Sequence, residues 1–462
     1  MHALLRFRWE GCSVSEKLLE LAENAVSEAE RFGAQQAEAY VASARSFSIE
    51  VENNTIKTAS EIRDAGCGIR VIVDNGIGFA YVTTVLDDDI TKIAEDAVRI
   101  AKASVPDPDF VSLPSYTGKY PVIKGLVDPE IRDLQSELAA DLIMRTVDAS
   151  IDVSGNAEIA VESTLNASHS QRAIANSVGI SQSAESTSFY IYSYPTVKLD
   201  GEQTSSYEYQ ISRKLTEINP EYIGSKATEQ ALEGLGGKTI EGGDMSVILA
   251  PLAVATVMGA GFASAVNAEE VQYGRSYIHD ALGNEIASEQ VNIIDNGLLK
   301  AGIGSRPYDA EGYPSQQTTI LEKGILKSLL HNSYTANKDQ VTNTGNAARP
   351  SYSGTPSISS SNFVISSGKG SLDDLISEVK RGVLCKYTAD RPNLTTGELS
   401  AMLMEGFYIE KGEIIHPVKN TLVGINMMEL LKRIHRVGDD TRVASSIISP
   451  SLVIDSARVT SG

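Results

Sequence analysis

Apolar residues fall at helical spacing from the start of the readable pattern. Val14, Leu18, Leu21, Ala22, Ala25, Ala29 and Phe32 recur every three or four positions with Glu and Lys between them, which predicts a helix over Ser13–Phe32 that Gly33 ends. The period then changes to two. Ala37–Ala42 and Phe47–Glu52 alternate apolar and polar residues, as half-buried strands do, with Asn53-Asn54 as a hairpin turn and Thr55–Ile62 as the return. A second hairpin runs through Gly68–Val73, the turn Asp74-Asn75-Gly76 and Gly78–Val82; Asn-Gly is the strongest short-range hairpin signal. Asp87–Ala103 returns to helical spacing, with Ile90, Ile93, Ala94, Ala97, Val98 and Ile100 inward.

Between Val105 and Pro129 periodicity fades and five prolines occur, which reads as a linker or a surface-hugging loop. Glu130–Ser150 predicts a helix, and strands follow at Ala157–Ser163, at Gln171–Ser177 and through Tyr190, Tyr192 and Tyr194. Those tyrosines lie two apart; they read either as one half-buried strand face or as a peptide-binding wall. Pro220–Leu235 is helical. From Lys238 onward Gly/Asn/Asp turns recur with short strands between them. A buried strand, Val247–Ala250, leads into a helix that opens at Pro251 and carries Leu252, Val254, Val257 and Met258; Pro at the first turn loses no hydrogen bond. Two more helices are predicted, Leu372–Arg381 and Asn426–Val437, and Ser451–Asp455 is a last strand. The fold class is α+β: an N-terminal α/β region with helices packed on antiparallel strands, then a β-rich C-terminal domain. The expected limits are 13–104, a Pro-rich linker 105–129, a central α/β region 130–236 and the β-rich domain 237–462.

Composition narrows the function. A chain of 462 residues corresponds to roughly 2–4 domains. A formal charge of −20 argues against nucleic-acid and anionic-membrane partners, which need basic patches. The three cysteines, Cys12, Cys67 and Cys385, lie far apart, which fits a reducing, cytoplasmic compartment. No apolar run approaches the ~20 residues of a membrane span. The first twelve residues, with Arg6 and Arg8 but no long apolar stretch, read as a ragged start rather than a signal peptide.

Motif by motif, no catalytic constellation emerges. Gly237-Lys238-Thr239 lacks the upstream Gly and strand of a phosphate loop. Gly259-Ala-Gly-Phe-Ala-Ser lacks the last Gly of a dinucleotide fingerprint and reads as close helix packing through small residues. The histidines, His2, His169, His279, His331, His416 and His435, never stand within helical reach of one another. There is no Gly-x-Ser-x-Gly elbow, and Cys385 lies in an apolar, strand-like context that suits a buried inert thiol.

The order of segments and several phrases resemble the TldD/PmbA family of metallopeptidase-related proteins over nearly the whole chain. The phrases include Gly33-Ala-Gln-Gln-Ala-Glu-Ala-Tyr-Val, Gly68-Ile-Arg-Val, Thr344-Gly-Asn-Ala-Ala-Arg, Leu394-Thr-Thr-Gly-Glu-Leu-Ser and Ser449-Pro-Ser-Leu-Val-Ile. The resemblance implies two kinds of subunit. The TldD kind carries His-Glu-x-x-x-His on the helix after a buried strand and a cysteine ligand near the C-terminus; imidazoles and thiolate hold a metal, and the Glu activates its water. Here Pro251, Leu252 and Thr256 stand in that slot, and Ser445–Ser449 offers no thiolate. This chain therefore resembles the PmbA/TldE-like subunit. The implied assembly is a hetero-oligomer with a TldD-like catalytic subunit, acting on unfolded or flexible peptides. No metal or other cofactor is expected on this chain; a metal, zinc by the family's pattern, is expected on the partner. A homodimer is the alternative for the chain alone. Thr344, Gly345, Asn346 and Arg349 are the candidates for a substrate groove, with Arg349 able to take a peptide carboxylate, against the alternative of a turn with a structural Arg. Two other functions remain open: a peptide-binding or chaperone-like protein acting without a protease, and a peptidase with an unrecognised site.

Overall fold

A computed structural model describes residues 14–462. The readings made for the first twelve residues, including Cys12 and His2, lie outside the described residues. Helix α1 (Val14–Arg31) leads into β1 (Gln36–Glu52), β2 (Thr55–Val73), β3 (Gly76–Val82) and α2 (Asp87–Ala103). The central segment adds α3 (Pro129–Arg132), α4 (Ser136–Val153), β4 (Glu158–Asn176), β5 (Ser181–Leu199), β6 (Glu202–Ser205), β7 (Glu208–Ser212) and α5 (Pro220–Glu233). Its strands join those of the first segment in one antiparallel sheet, ordered β3-β2-β1-β4-β5-β6, with β7 also on β5.

This sheet sorts its side chains by the period of two. Odd-numbered residues of β1, β2 and β4, such as Val41, Ile69, Val71 and Ala173, pack under α1 and α2 with Ala22, Ala25 and Ala97. Further along the same face Ile49, Leu165 and Ile191 pack under α4 and α5 with Ile143 and Ile223. Even-numbered Tyr40 and Ile174 face the other way, onto Tyr308 and Tyr352 of the C-terminal region.

Three strand pairs expected from sequence turn out to be single long strands. Ala37–Ala42 and Phe47–Glu52 are both parts of β1, Thr55–Ile62 and Gly68–Val73 are both parts of β2, and Ala157–Ser163 and Gln171–Ser177 are both parts of β4. The weakly apolar Ser43–Ser46 between the first two stays extended because β1 is hydrogen-bonded on both sides, to β2 and to β4.

The C-terminal region opens with β8 (Gly243–Leu249) and α6 (Pro251–Val254). Strands β9 (Ile293–Asn296), β10 (Gln317–Glu322), β11 (Ile325–Leu326), the short pair β12 (Ala347–Ala348) and β13 (Ser357–Ile358), β14 (Phe363–Ile365), β15 (Arg381–Tyr387), β16 (Glu398–Met402), β17 (Glu405–Glu410) and β18 (Glu413–Pro417) come next. The last are β19 (Thr421–Asn426), β20 (Ile434–Val437), β21 (Arg442–Ala444), β22 (Ile447–Ser449) and β23 (Leu452–Ser461). They form an eight-stranded sheet with β8 in its middle, between β23 and β15, and a six-stranded sheet ending β9-β14-β22-β21. Between the two lies one core, with Val247, Met258, Phe262, Ile293, Phe363, Leu431 and Ile454 inside it.

Both late helices are shorter than expected. The second ends at Lys432, and Ile434–Val437 becomes strand β20, with Ile434 opposite Ile454 of β23. Leu430, Leu431 and Ile434 satisfy either period, so the unfilled edge of β23 decides the outcome. The first ends at Glu378, and Arg381 opens β15, which runs parallel to β8. Among the described residues no helix is long and apolar enough to cross a membrane.

Candidate functional site

The strand-to-helix junction after β8 is built by burial. Val247, Ile248 and Leu249 are core residues, and the Ala250 amide donates to the Cys385 carbonyl at 2.9 Å. Pro251 starts α6 with the fixed φ that a first turn needs. One α-helical turn then widens into a π-helix over Ala255–Phe262, in which hydrogen bonds span five residues instead of four. The widening accompanies tight packing. A Cβ on Gly259 would lie 2.2 Å from Ile447, and one on Gly261 would lie 2.4 Å from Pro392. These small residues serve close packing, as the sequence suggested.

The fold brings the two halves of the expected slot together. Ser449, fully buried at the end of β22, donates from Oγ to the Pro251 carbonyl at 2.9 Å. Thr256 Oγ1 donates to the Leu252 carbonyl at 3.2 Å, one turn back along its own helix. The side chains of Pro251 and Leu252 are hydrocarbon, and both hydroxyls in the slot already serve backbone carbonyls. A zinc-type ion, which needs imidazole, thiolate or carboxylate donors, does not fit this donor set. Among the described residues no group of three or more His, Cys, Asp or Glu is arranged to hold a metal. The histidines are dispersed: His169 pairs with Glu185, His279 with Asp280 and His435 with Asp455. Burial holds the His331 imidazole below its usual pKa. Cys385 is buried, and burial pushes its thiol up to about 12, so it is inert at neutral pH.

β21, which packs beside α6, leads from this slot into a groove of about 330 Å³. One wall is β7 and the other is β21; among the described residues β7 pairs only with β5, and β21 only with β22. Arg442 ties the walls: its guanidinium grips the buried Glu208 carboxylate with both Nη atoms, donates to the Tyr209 carbonyl at 3.1 Å and lies 5.3 Å from the Tyr209 ring centre. Tyr209 continues into an aromatic row with Tyr190 at 5.6 Å and Tyr207 at 5.9 Å, and Tyr207 meets Tyr387 at 4.7 Å. Tyr190 and Tyr192 are half-buried and Tyr194 is 38% exposed, so these three form a half-buried strand face whose inner part belongs to the row. A larger cavity, about 420 Å³, lies between β6, α5 and β17, where Glu202, Gln230, Lys386 and Glu405 line it.

The four groove candidates lie in the interior instead. Thr344 Oγ1 accepts from the His331 amide at 2.7 Å, and Asn346 Nδ2 donates to Asp295 at 2.7 Å. Gly345 holds φ of 72°, and a Cβ there would come 2.6 Å from the Pro314 carbonyl. Arg349, with its side chain 1% exposed, is paired with Glu38 and donates to the carbonyls of Ala310 and Gly354. As placed, these residues bind loops to one another, and Arg349 has no free face for a peptide carboxylate; it is a structural Arg.

Sequence reading missed the network around that arginine. Arg70 donates to Glu38 and to Glu311 at 3.0 Å each, Arg349 also meets Glu38, and Glu311 accepts from the Ser333 amide and hydroxyl. Both carboxylates are 0% exposed, and the network joins β1 and β2 to the C-terminal loops. The available signal was the alternation Ala37-Glu-Ala-Tyr, which puts Glu38 on the face away from α1.

Comparison with known proteins matches this architecture segment by segment. Residues 37–101 match PmbA/TldA metallopeptidase domain 1, residues 129–235 the central domain, and residues 242–461 the C-terminal domain. An uncharacterized protein of Methanocaldococcus jannaschii is 29% identical over 407 residues, covering 88% of this chain and 92% of its own. A metalloprotease TldD homolog of Buchnera aphidicola is 27% identical, covering 85% of this chain and 83% of its own. The crystal structure of TldE from Thermococcus kodakarensis superposes with a TM-score of 0.88 at 25% identity, covering 96% of this chain and all of that one (100%).

Proposed function

The chain belongs to the PmbA/TldD family, and on that premise we propose that it is the PmbA/TldE-like subunit, without a metal site of its own, of a TldD-type peptidase complex. Its substrates are unfolded or flexible peptides, cut at a metal, zinc in this proposal, that the TldD-like partner holds. The observation that carries this reading is the slot. Pro251, Leu252, Thr256 and Ser449 meet where the family's catalytic kind would set its imidazoles, general base and thiolate, and none of them can ligate zinc or activate water.

The groove beside the slot supports a share in holding substrate. An extended peptide can add to a strand edge through backbone hydrogen bonds, with little dependence on sequence. Among the described residues β7 and β21 each leave one edge without a strand partner there, with Tyr209 and Arg442 between them. The same groove would serve a peptide-binding protein that acts without a protease, and this second reading is separated from the first by a cleavage test. An unstructured casein fragment is incubated with the chain, with a TldD-like relative carrying His-Glu-x-x-x-His, and with both. The expected result is chelator-sensitive cleavage that rises when the two are mixed, with none by this chain alone. Binding of the fragment with no effect on the relative's cleavage would favour the protease-free reading. Cleavage by this chain alone would sink both.

A further inference from the structure

We propose that the cavity under the first sheet binds a short peptide with free ends, of dipeptide size, with its carboxylate on Arg172 and its ammonium on Asp64. The cavity, about 220 Å³, lies between the C-terminal loops and the face of the sheet turned away from α1. It is smaller than the roughly 300–1,000 Å³ of pockets for drug-sized molecules, so its ligand is small. Strand register explains the space. Gly66, Ala42, Arg172 and Ala184 lie side by side across β2, β1, β4 and β5, and Asp64, Ala44, Ser170 and Ser186 form the next row on the same face. Apart from Arg172 and Asp64, every side chain of this floor is that of Gly, Ala or Ser. Tyr352 closes the roof over Asp64: a Cβ on Gly66 would lie 2.3 Å from its ring, and its hydroxyl donates to Asp64 Oδ1 at 2.8 Å.

Charge selects the ligand. Arg172 belongs to a group of three arginines, with Arg213 and Arg306, and among the described residues none of the three forms an ion pair. Arg213 is spent on the carbonyls of Thr187, Gly302 and Ile303. Arg306, between the cavity-lining Ser305 and Pro307, has Nε and Nη2 buried with no hydrogen-bond partner. Burial, and then the charge of Arg172, holds both Arg213 and Arg306 below the usual guanidinium range. Asp295 and Asp309 also act on Arg306, but burial pushes both carboxyls up, so they offset the group only in part. Buried positive charge without a paired anion is costly. Arg172, which lies 5.3 Å from the Tyr308 ring centre, is the member that lines the cavity, and a carboxylate there completes the group. Asp64 brings the opposite sign, and among the described residues its Oδ2 accepts no hydrogen bond. Two strands and one row separate the backbones of Arg172 and Asp64, about 12 Å. A free amino acid holds its two charges on one carbon, whereas a peptide spreads them along its backbone. This cavity shares no lining residue with the slot or the β7–β21 groove, and the inference can fail without the peptidase reading.

The test is calorimetric titration of the full chain with alanyl-alanine, its N-acetyl form, its C-terminal amide and inorganic phosphate. Alanyl-alanine should bind with a dissociation constant of about 1 mM or tighter, and blocking either end should weaken it about tenfold or more. Asp64→Asn should bring alanyl-alanine down to the affinity of its N-acetyl form and leave the N-acetyl form unchanged. Arg172→Gln should abolish the preference for the free acid over the amide. Ser186→Leu, which puts a larger side chain on the floor and removes no charge, should abolish binding, and it decides the matter if Arg172→Gln does not fold. No binding of alanyl-alanine at about 10 mM overturns the proposal. So does an amide that binds as tightly as the free acid, phosphate that binds as tightly as the peptide, or affinity that Ser186→Leu leaves unchanged.

Discussion

Two regions of this molecule use charge in opposite ways. Where sheet and C-terminal loops meet, Arg70, Arg349, Glu38 and Glu311 are shut in together, and each guanidinium and carboxylate answers another. At the junction after β8, the slot that the proposed function compares with a metal site, there are a proline, a leucine and two hydroxyls turned onto backbone carbonyls. The residue types that suggest chemistry serve cohesion, and the place that suggests chemistry is filled by packing. An inventory of charged residues alone would point to the buried network, whose groups are committed to one another. What decides is whether a group is already committed within the fold: in the network each charge is paired, although Arg70 Nε is buried without a partner, and in the slot both hydroxyls donate to backbone carbonyls.

The contrast can be broken most forcefully at Arg70. Arg70→Ala leaves Glu38 and Glu311 buried with fewer partners and should lower the unfolding free energy by about 3–5 kcal/mol, read by urea denaturation; a loss under about 1 kcal/mol would mean that water or neighbouring groups replace it. Next in size is Glu208, whose carboxylate is 1% exposed against an Arg442 side chain 26% exposed. Glu208→Ala should cost about 1.5–3 kcal/mol, as for a charge-assisted hydrogen bond, and should weaken binding of an unstructured peptide if the β7–β21 groove takes one. Unchanged peptide affinity would remove the groove from the account.

A pH series sharpens the comparison further. Burial pushes the Glu311 carboxyl up, but Arg70 and the Ser333 donors outweigh it, so its folded pKa lies below the ordinary value of 4.5. A carboxyl depressed in the folded state stabilises above its unfolded pKa, and that contribution fades as pH falls through the folded value. Stability of the parent chain should therefore drop on acidification below about 4.5 more steeply than that of Glu311→Gln; equal slopes would mean Glu311 is not held ionised. The smallest effect belongs to the slot. Thr256→Ala removes a hydroxyl bonded to its own helix and gains helix propensity, so stability should change by less than about 0.5 kcal/mol. A thermal scan showing a large loss would assign Thr256 a role that its contacts do not indicate.

Much of the fold is legible in the chain because local signals agree with tertiary ones. The spacing of Leu18, Leu21, Ala22, Ala25 and Ala29 gives α1, and Asn75-Gly76 fixes the β2–β3 turn, where Asp74 and Asn75 both take positive φ. The Glu38–Arg70 pair was hidden for a physical reason. Counting back from the Asn53-Asn54 turn pairs residues whose numbers add to 107, which sets Glu38 opposite Ile69; the extra residue at Lys57 moves it opposite Arg70. Ile434 misled because its burial satisfies a helix or a strand alike, and the edge of β23 is distant in sequence. The slot became legible only through the resemblance. Nothing in Pro251, Leu252 or Thr256 alone marks an absent metal, and the approach of Ser449 to Pro251 is a contact across 198 positions. Arg349 illustrates the reverse error, an exposed-looking basic residue in a glycine turn that the fold had already paired with Glu38.

The most direct test of the central claim is the metal content of the purified full chain after dialysis against zinc, by elemental analysis, with the TldD-like relative treated in parallel. The account predicts substoichiometric zinc on this chain and stoichiometric zinc on the relative. One tightly held zinc per chain here, removed by a chelator together with peptide cleavage, would contradict it and direct attention to His279, His331 and His416.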